Sequence, residues 1–364
     1  MEIRLPNARV ATGLYSHWDS FVSVNKDVMK WIKSSKKTKP KKTRLNSIEE
    51  VVYTLDKAVR KGGEEFLISE NVYNELKSIF PKRKKRTGGN GNNMGRTLLS
   101  LGMKPLVSYP LRPERLMLAS PNFRVAVKDK ITIPKKVVRD DPEYEHIIFE
   151  FKKGRHILTW NPAESKGVFD NDFLKFACDS KRTDILIIAY AHLLLPEYKK
   201  RTDVVVEKLR KNRPKVHLEF GSGSEASMKY AIEEFSEHEC CDSFGMDEKE
   251  CKIYFKSRSE SQKDLEEAAL KAVKEYGINR ICVHAPQFAF SVSKNNAKKE
   301  LDALQSACLV ASSSTGIKPS VKTSKKKIGN YNICLVKNKI NEKPRTMTGL
   351  GDAFAAVQAV KSLL

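Results

Sequence analysis

The segment Asp184–Tyr190 (DILIIAY) is continuously apolar after its first residue. A strand with no polar face has to be covered on both sides, which a parallel sheet between two helical layers provides. Lys215–Phe220 (KVHLEF) and Arg280–Val283 (RICV) read as further strands of that kind, and Val10–Gly13 and Phe21–Val24 as short β-type runs around His17-Trp18-Asp19. Between them run helical periods. Leu265, Ala268, Ala269, Ala272, Val273 and Tyr276 mark one helix; in Asn46–Arg60, Ile48, Val51, Val52, Leu55 and Val59 share one face of another. Such alternation implies an α/β fold with a doubly wound, mostly parallel sheet flanked by helices, which binds ligands beyond the carboxyl ends of its strands. Phe123–Ile133 and His146–Phe151 break the pattern, being β-type without intervening helices. They predict a small β-sheet lid over residues 25–45 and 109–158, with 1–24, 46–108 and 159–364 forming the large α/β domain.

Two glycine clusters carry chemical signals. Near the C-terminus Gly349, Leu350 and Gly351 sit just before a helix, marked by Ala353, Val357, Val360 and Leu364, which Asp352 opens. Glycines there let backbone N–H groups turn toward one point, and the helix adds the positive end of its dipole. The result is an anion hole suited to a phosphoryl group in transit, beside a carboxylate placed to take a proton from an attacking hydroxyl. The tetrapeptide alone is equally a tight turn with an N-cap aspartate. The second cluster, Gly88-Gly89-Asn90-Gly91-Asn92-Asn93, precedes a helix begun by Met94, Leu98 and Leu101. It is neither G-x-G-x-x-G nor a Walker A sequence. A polar glycine turn at a helix start fits a hydroxyl-rich ligand, or simply a flexible loop.

The formal net charge of +23 is concentrated in Lys36–Arg44, Lys82–Arg86 and Lys325–Lys327. These runs lack the aromatic interleaving of a single-strand platform and accompany no DNA-binding motif, so they read as solvated loops and nucleic acid is not the expected partner. Lys82–Arg86, directly before a glycine cluster, would also attract a phosphorylated small molecule. The seven cysteines include no C-x-x-C pair, which points to a reducing compartment, and Cys240-Cys241 beside His238 read as ordinary thiols. Met1–Val10 has no signal-peptide pattern, and Ile185–Leu195, interrupted by His192, is too short to span a bilayer; a cytoplasmic protein without a membrane partner is expected.

Taken together, Gly349-Leu-Gly-Asp352, the Gly88-Gly89-Asn90 turn and the early Asp19 resemble the ribokinase-like superfamily of sugar kinases. More narrowly, the chain is similar to the ADP-dependent glucokinase and phosphofructokinase family, best known from archaea. His146–Phe151 (HIIFEF), His217–Phe220 (HLEF), Asp242–Glu250 (DSFGMDEKE) and Arg280–His284 (RICVH) carry that closer match, in order along the chain. The resemblance implies a lid that excludes water competing with the sugar hydroxyl. It also implies Asp352 as general base, the N–H groups of Gly349, Leu350 and Gly351 as the phosphoryl anion hole, and Asp19 with Gly88, Gly89 and Asn90 as sugar contacts. Glu219 matches the glutamate of an H-x-E magnesium motif, and Asp247 with Glu250 an N-x-x-E motif in which aspartate replaces asparagine; carboxylates of this type act on Mg²⁺ directly or through water. For His217, a structural hydrogen bond and a nucleotide contact remain alternatives. The implied reaction is Mg²⁺-dependent transfer of the β-phosphoryl group of ADP to a sugar or sugar-phosphate hydroxyl, of the fructose 6-phosphate or glucose type. ATP is the alternative donor. An ATP-dependent ribokinase-like sugar or nucleoside kinase and a non-catalytic polyanion-binding protein are the alternative functions, and the oligomeric state is left open. The chain departs from the family in Asp247, in being shorter, and in its asparagine-rich sugar turn.

Overall fold

A computed structural model describes residues 3–364 except 42–43, 144, 153, 161, 163–167, 191–196, 222, 314–319 and 340–348. Thr346–Thr348, His192–Leu195 and part of the Lys36–Arg44 run lie outside the described residues. The described strands are, in order, β1 Val10–Gly13, β2 His17–Ser23, β3 Arg44–Leu45, β4 Glu65–Ile68, β5 Lys84–Gly88, β6 Leu106–Val107, β7 Val125–Val127, β8 Lys130–Thr132, β9 Glu145–Phe151, β10 Gly154–Thr159, β11 Ile185–Tyr190, β12 Lys215–Phe220, β13 Ser243–Asp247, β14 Arg280–His284, β15 Phe288–Ser293, β16 Ser320–Ile328 and β17 Tyr331–Lys339.

Nine of them form one sheet in the order β16-β17-β15-β14-β13-β12-β11-β1-β6. From β6 to β14 the pairing is parallel; β15, β17 and β16 continue it antiparallel. The all-apolar β11 lies inside this sheet, and its residues alternate between layers. Leu186, Ile188 and Tyr190 pack with the helices Asn171–Ala177, Tyr198–Leu209 and Glu225–Glu237. Ile185, Ile187 and Ala189 face Met94, Leu98, Ala355, Ala356 and Ala359 on the opposite side. Each fully buried aliphatic side chain contributes roughly 1.5–3 kcal/mol, so the strand with no polar face is the one that ties the two layers together. No helix among the described residues is long and apolar enough to cross a membrane.

Six strands form the second sheet, in the order β3-β4-β10-β9-β2-β5. The expected small sheet is present, and β2, β4 and β5, which fall in ranges expected in the large domain, pair within it. The Ile48–Lys61 helix packs Val51, Val52 and Leu55 against Ile147, Phe149 and Leu158 of β9 and β10. Helical periodicity reveals an apolar face and not which sheet that face will cover. The β-type stretch 123–133, in turn, forms a separate β7–β8 hairpin, with Ala126 and Ile131 packed on the core of the large sheet. In a pleated strand, alternate residues take opposite faces. With Val22, Ile147, Phe149, Leu158 and Ile68 committed to the helices, the free face carries His17, Asp19, Glu65, Arg86, His146 and Arg155.

Candidate active site

The C-terminal helix runs from Leu350 to Leu363 and is entered through Gly349, whose φ of 85° puts it in the left-handed region that a side chain rarely adopts. The helix begins slightly earlier than the spacing suggests, so Gly351 and Asp352 already lie in its first turn. Leu350, Gly351 and Asp352 therefore present N–H groups with no intrahelical acceptor. Asp352 is half-buried, and both carboxylate oxygens are held. Asn90 Nδ2 donates to Oδ1 at 2.7 Å and Asn93 Nδ2 donates to Oδ2 at 2.9 Å. Burial pushes the Asp352 carboxyl above its ordinary range, against the lowering effect of the two amides and of nearby Arg155. The Asn90 side chain, expected to meet the sugar, is thus committed to Asp352. Asn93 and Arg155 had been assigned no role; Asn93 was legible only as a polar residue one turn after Gly89, and Arg155, on β10, had no local signal at all.

The Asn90–Ser100 helix that supplies both amides is capped by Gly89, with φ of 84°. A Cβ on Gly89 would lie 2.6 Å from the Tyr15 carbonyl oxygen, and one on Gly88 would lie 2.2 Å from the Asp19 carboxylate carbon. The Gly88-Gly89 pair is therefore required by close approach, and it makes room for Asp19. Asp19 is buried on β2, with Oδ1 3.4 Å from His17 Nε2 and Oδ2 3.8 Å from Arg86 Nε. His146 lies opposite Asp19 in the β2–β9 register. On β4, Glu65 accepts a hydrogen bond from Thr159 Oγ1 at 2.7 Å, and burial raises its carboxyl above the ordinary range.

The remaining predicted residues gather at the carboxyl ends of β12, β13 and β14, where an open α/β sheet places its ligands. Glu219 is buried. Its Oε2 lies 3.1 Å from His217 Nε2 and its Oε1 2.8 Å from His284 Nε2. Burial alone would raise the Glu219 carboxyl, but the two imidazoles bring it down to about 2. It extends across β13 only because residue 245 is glycine; a Cβ there would sit 1.9 Å from Glu219 Oε2. His217 is fully buried, with Nδ1 3.0 Å from Ser243 Oγ and Nε2 2.9 Å from the Gln358 amide, so the structural hydrogen bond is the alternative found. His284 had no assigned role either, and its ring lies against Gly351 and Phe354.

Asp247 and Glu250 form a capping box. Asp247 Oδ1 accepts from the Lys249 and Glu250 N–H groups at 2.9 and 2.8 Å, while Glu250 Oε2 accepts from the Asp247 N–H at 2.8 Å. The cap uses one side-chain Oδ1, which asparagine and aspartate both possess, so the replacement keeps the local structure. Burial, then repulsion from Asp247, lifts the Glu250 carboxyl well above its ordinary range, with Glu219 adding to the effect. Among the described residues the ligand atoms of Glu219, Asp247 and Glu250 do not close into one cluster; the group that does is His17, Asp19 and His146, within 4.8 Å of one another.

A sequence profile described as "ADP-specific Phosphofructokinase/Glucokinase conserved region" matches residues 8–329. No curated protein gives a significant match. Among solved structures, an ADP-dependent kinase in complex with fructose 6-phosphate and ADPβS superposes with a TM-score of 0.80 at 14% identity, covering 99% of this chain and 94% of that one. A phosphofructokinase from Pyrococcus horikoshii OT3 with AMP gives 0.73 at 15% identity, over 99% and 98% of the two chains. A reconstructed last common ancestor of the ADP-dependent phosphofructokinases from Methanosarcinales gives 0.71 at 15%, over 98% and 94%. At these identities the structures establish a shared fold. The profile spans most of the chain, so the protein belongs to the ADP-specific phosphofructokinase/glucokinase family, sugar kinases that use ADP to phosphorylate a hydroxyl group.

Proposed function

We propose that this protein transfers the β-phosphoryl group of ADP to a hydroxyl of a sugar phosphate of the fructose 6-phosphate type, in the presence of Mg²⁺, with Asp352 as the general base. The observation that carries this reading is the Asp352 carboxylate, fixed by Asn90 and Asn93 in the first turn of a glycine-capped helix. Phosphoryl transfer leaves little covalent work to a protein; it needs positioning and charge stabilisation. The backbone of Gly349, Leu350 and Gly351 supplies donors and the dipole end where charge builds on the phosphoryl group, and Arg155 on the second sheet adds positive charge in the neighbourhood of Asp352. Asp19, with room made by Gly88 and Gly89, accepts from acceptor hydroxyls. Arg86, beside Asp19 and stacked over Phe21 at 4.9 Å, supplies a cation for the acceptor's own phosphate. The carboxylates Glu219, Asp247 and Glu250, gathered at neighbouring strand ends, suit a hard cation, because a positive charge would offset the burial and the repulsion from Asp247 that lift Glu250. Mg²⁺ there, bound in part through water, would neutralise phosphate charge.

The direct test is a transfer assay with Mg²⁺ that pairs ADP and ATP with fructose 6-phosphate, glucose, ribose 1-phosphate and nucleosides. Formation of AMP with fructose 6-phosphate is the expected result. Turnover with glucose alone would move the acceptor, turnover with ATP alone the donor, and silence with every pair would favour a polyanion-binding role.

The amide clamp yields a pH prediction. Asp352 works as a base only when ionised, so its raised pKa sets the acid limb of kcat/KM above that of a free aspartate. Asn90 and Asn93 oppose that rise. Asn93→Ala removes one opposing donor and is expected to move the acid limb to still higher pH. A limb that stays where it is would mean that another group controls it.

A further inference from the structure

We propose that the acceptor face also holds a cation site of its own, formed by His17, Asp19 and His146, which takes a borderline divalent ion such as Zn²⁺ or Co²⁺ and not Mg²⁺. His17 and Asp19 are two residues apart on β2 and so point to the same face, and Asp19 stands directly opposite His146 on β9. One ligand atom from each lies within 4.8 Å of the other two. The imidazole rings of His17 and His146 are 3.5 Å apart, and His17 Nε2 is 3.4 Å from Asp19 Oδ1. A zinc ion with bonds of about 2.0–2.1 Å to such ligands requires the two stacked rings to open away from one another around it. All three side chains are more than nine-tenths buried, and His146 Nε2 has no hydrogen-bond partner among the described residues. A buried ring nitrogen left without a partner is unfavourable; a metal or a ligand hydroxyl would satisfy it.

The donor set chooses the ion. Two imidazoles and one carboxylate suit Zn²⁺, Co²⁺ or Ni²⁺, whereas Mg²⁺ prefers oxygen and keeps its waters. Arg86, 3.8 Å from Asp19 and with a side chain about one-third exposed, would give up that contact when an ion binds. An ion here occupies the place given above to acceptor hydroxyls, so it competes with the sugar. That competition rests on the acceptor reading of Asp19; the ion site itself does not.

The test uses Co²⁺ as a spectroscopic probe on the full-length protein without nucleotide. One equivalent of Co²⁺ is expected to give a visible ligand-field band without thiolate charge transfer. His146→Ala and His17→Ala should lose the band, whereas Glu219→Gln should keep it. Should His146→Ala fail to fold, His146→Gln with an unchanged circular dichroism spectrum serves instead. A band that survives in both histidine variants, or no stoichiometric binding, overturns the site. Fructose 6-phosphate or glucose is then added to the loaded protein. Displacement of Co²⁺ supports the overlap, while a band that loses the histidine ligands on mutation yet resists both sugars upholds the ion site and counts against Asp19 as the acceptor contact.

Discussion

Asp352→Ala is expected to lower kcat by roughly 10²–10⁴-fold, the range for loss of a positioned general base, while leaving ADP affinity nearly unchanged. The separation follows from geometry. On the proposed reading, the nucleotide's charge would be met by backbone donors of the helix start, which do not depend on the residue 352 side chain, whereas proton removal would. Asp352→Asn keeps the volume and should be almost as inactive, which distinguishes lost basicity from lost packing. Asn93 acts through Asp352, so adding Asn93→Ala to Asp352→Ala should cost little more; residues that act as one unit are not additive. Steady-state kinetics with calorimetric ADP binding decides the matter. Near wild-type turnover in either Asp352 variant would remove this residue from the chemistry.

The second large effect concerns stability. Arg280 and Glu300 form an ion pair with both side chains out of contact with water, Arg280 Nε donating to the two carboxylate oxygens at 2.9 and 3.0 Å. Arg280 Nη1 also donates to Ser243 Oγ at 2.8 Å, and Ser243 Oγ lies 3.0 Å from His217 Nδ1. Glu300→Ala leaves a guanidinium charge buried without its partner and is expected to destabilise the fold by about 3–5 kcal/mol. Replacing both partners, Arg280→Met with Glu300→Leu, should recover most of that loss, because it removes the charge instead of stranding it. The double variant still loses the donor that fixes Ser243 and, through it, His217 and Glu219, so activity should stay low when stability returns. Urea unfolding and kinetics on the same samples separate the two effects; a Glu300→Ala protein as stable as wild type would contradict the argument.

What could be read from the sequence follows from how local each signal is. β11 is apolar along its whole length and the helix at 48–61 is periodic along its own, and both were legible. So was the glycine-aspartate motif, because glycine at a helix start and an acid in the first turn need no distant partner to be recognised. The boundaries of the second sheet were not legible, since β2, β4, β5, β9 and β10 come together by pairing across long separations. The role of Asn93 was hidden for the same reason: its partner Asp352 is 259 residues away. Gly245 shows the limit from another side. Its importance lies in the Glu219 side chain crossing from the neighbouring strand, which no local pattern records. Asp247 and Glu250 were expected from the resemblance to a family motif, and the spacing of that motif also makes them a helix cap.

β16 is the outermost strand of the large sheet, nine residues long, and no other outermost strand among the described residues is longer than five. An open edge of that length invites a second copy to continue the ladder. Lys325, Lys326 and Lys327 are consecutive, so positive charge falls on both faces of the strand. Two such strands brought side by side would set lysine against lysine. The basic run in this strand would therefore oppose the pairing of two copies, so that part of the chain's excess charge works against self-association at the longest outermost strand among the described residues.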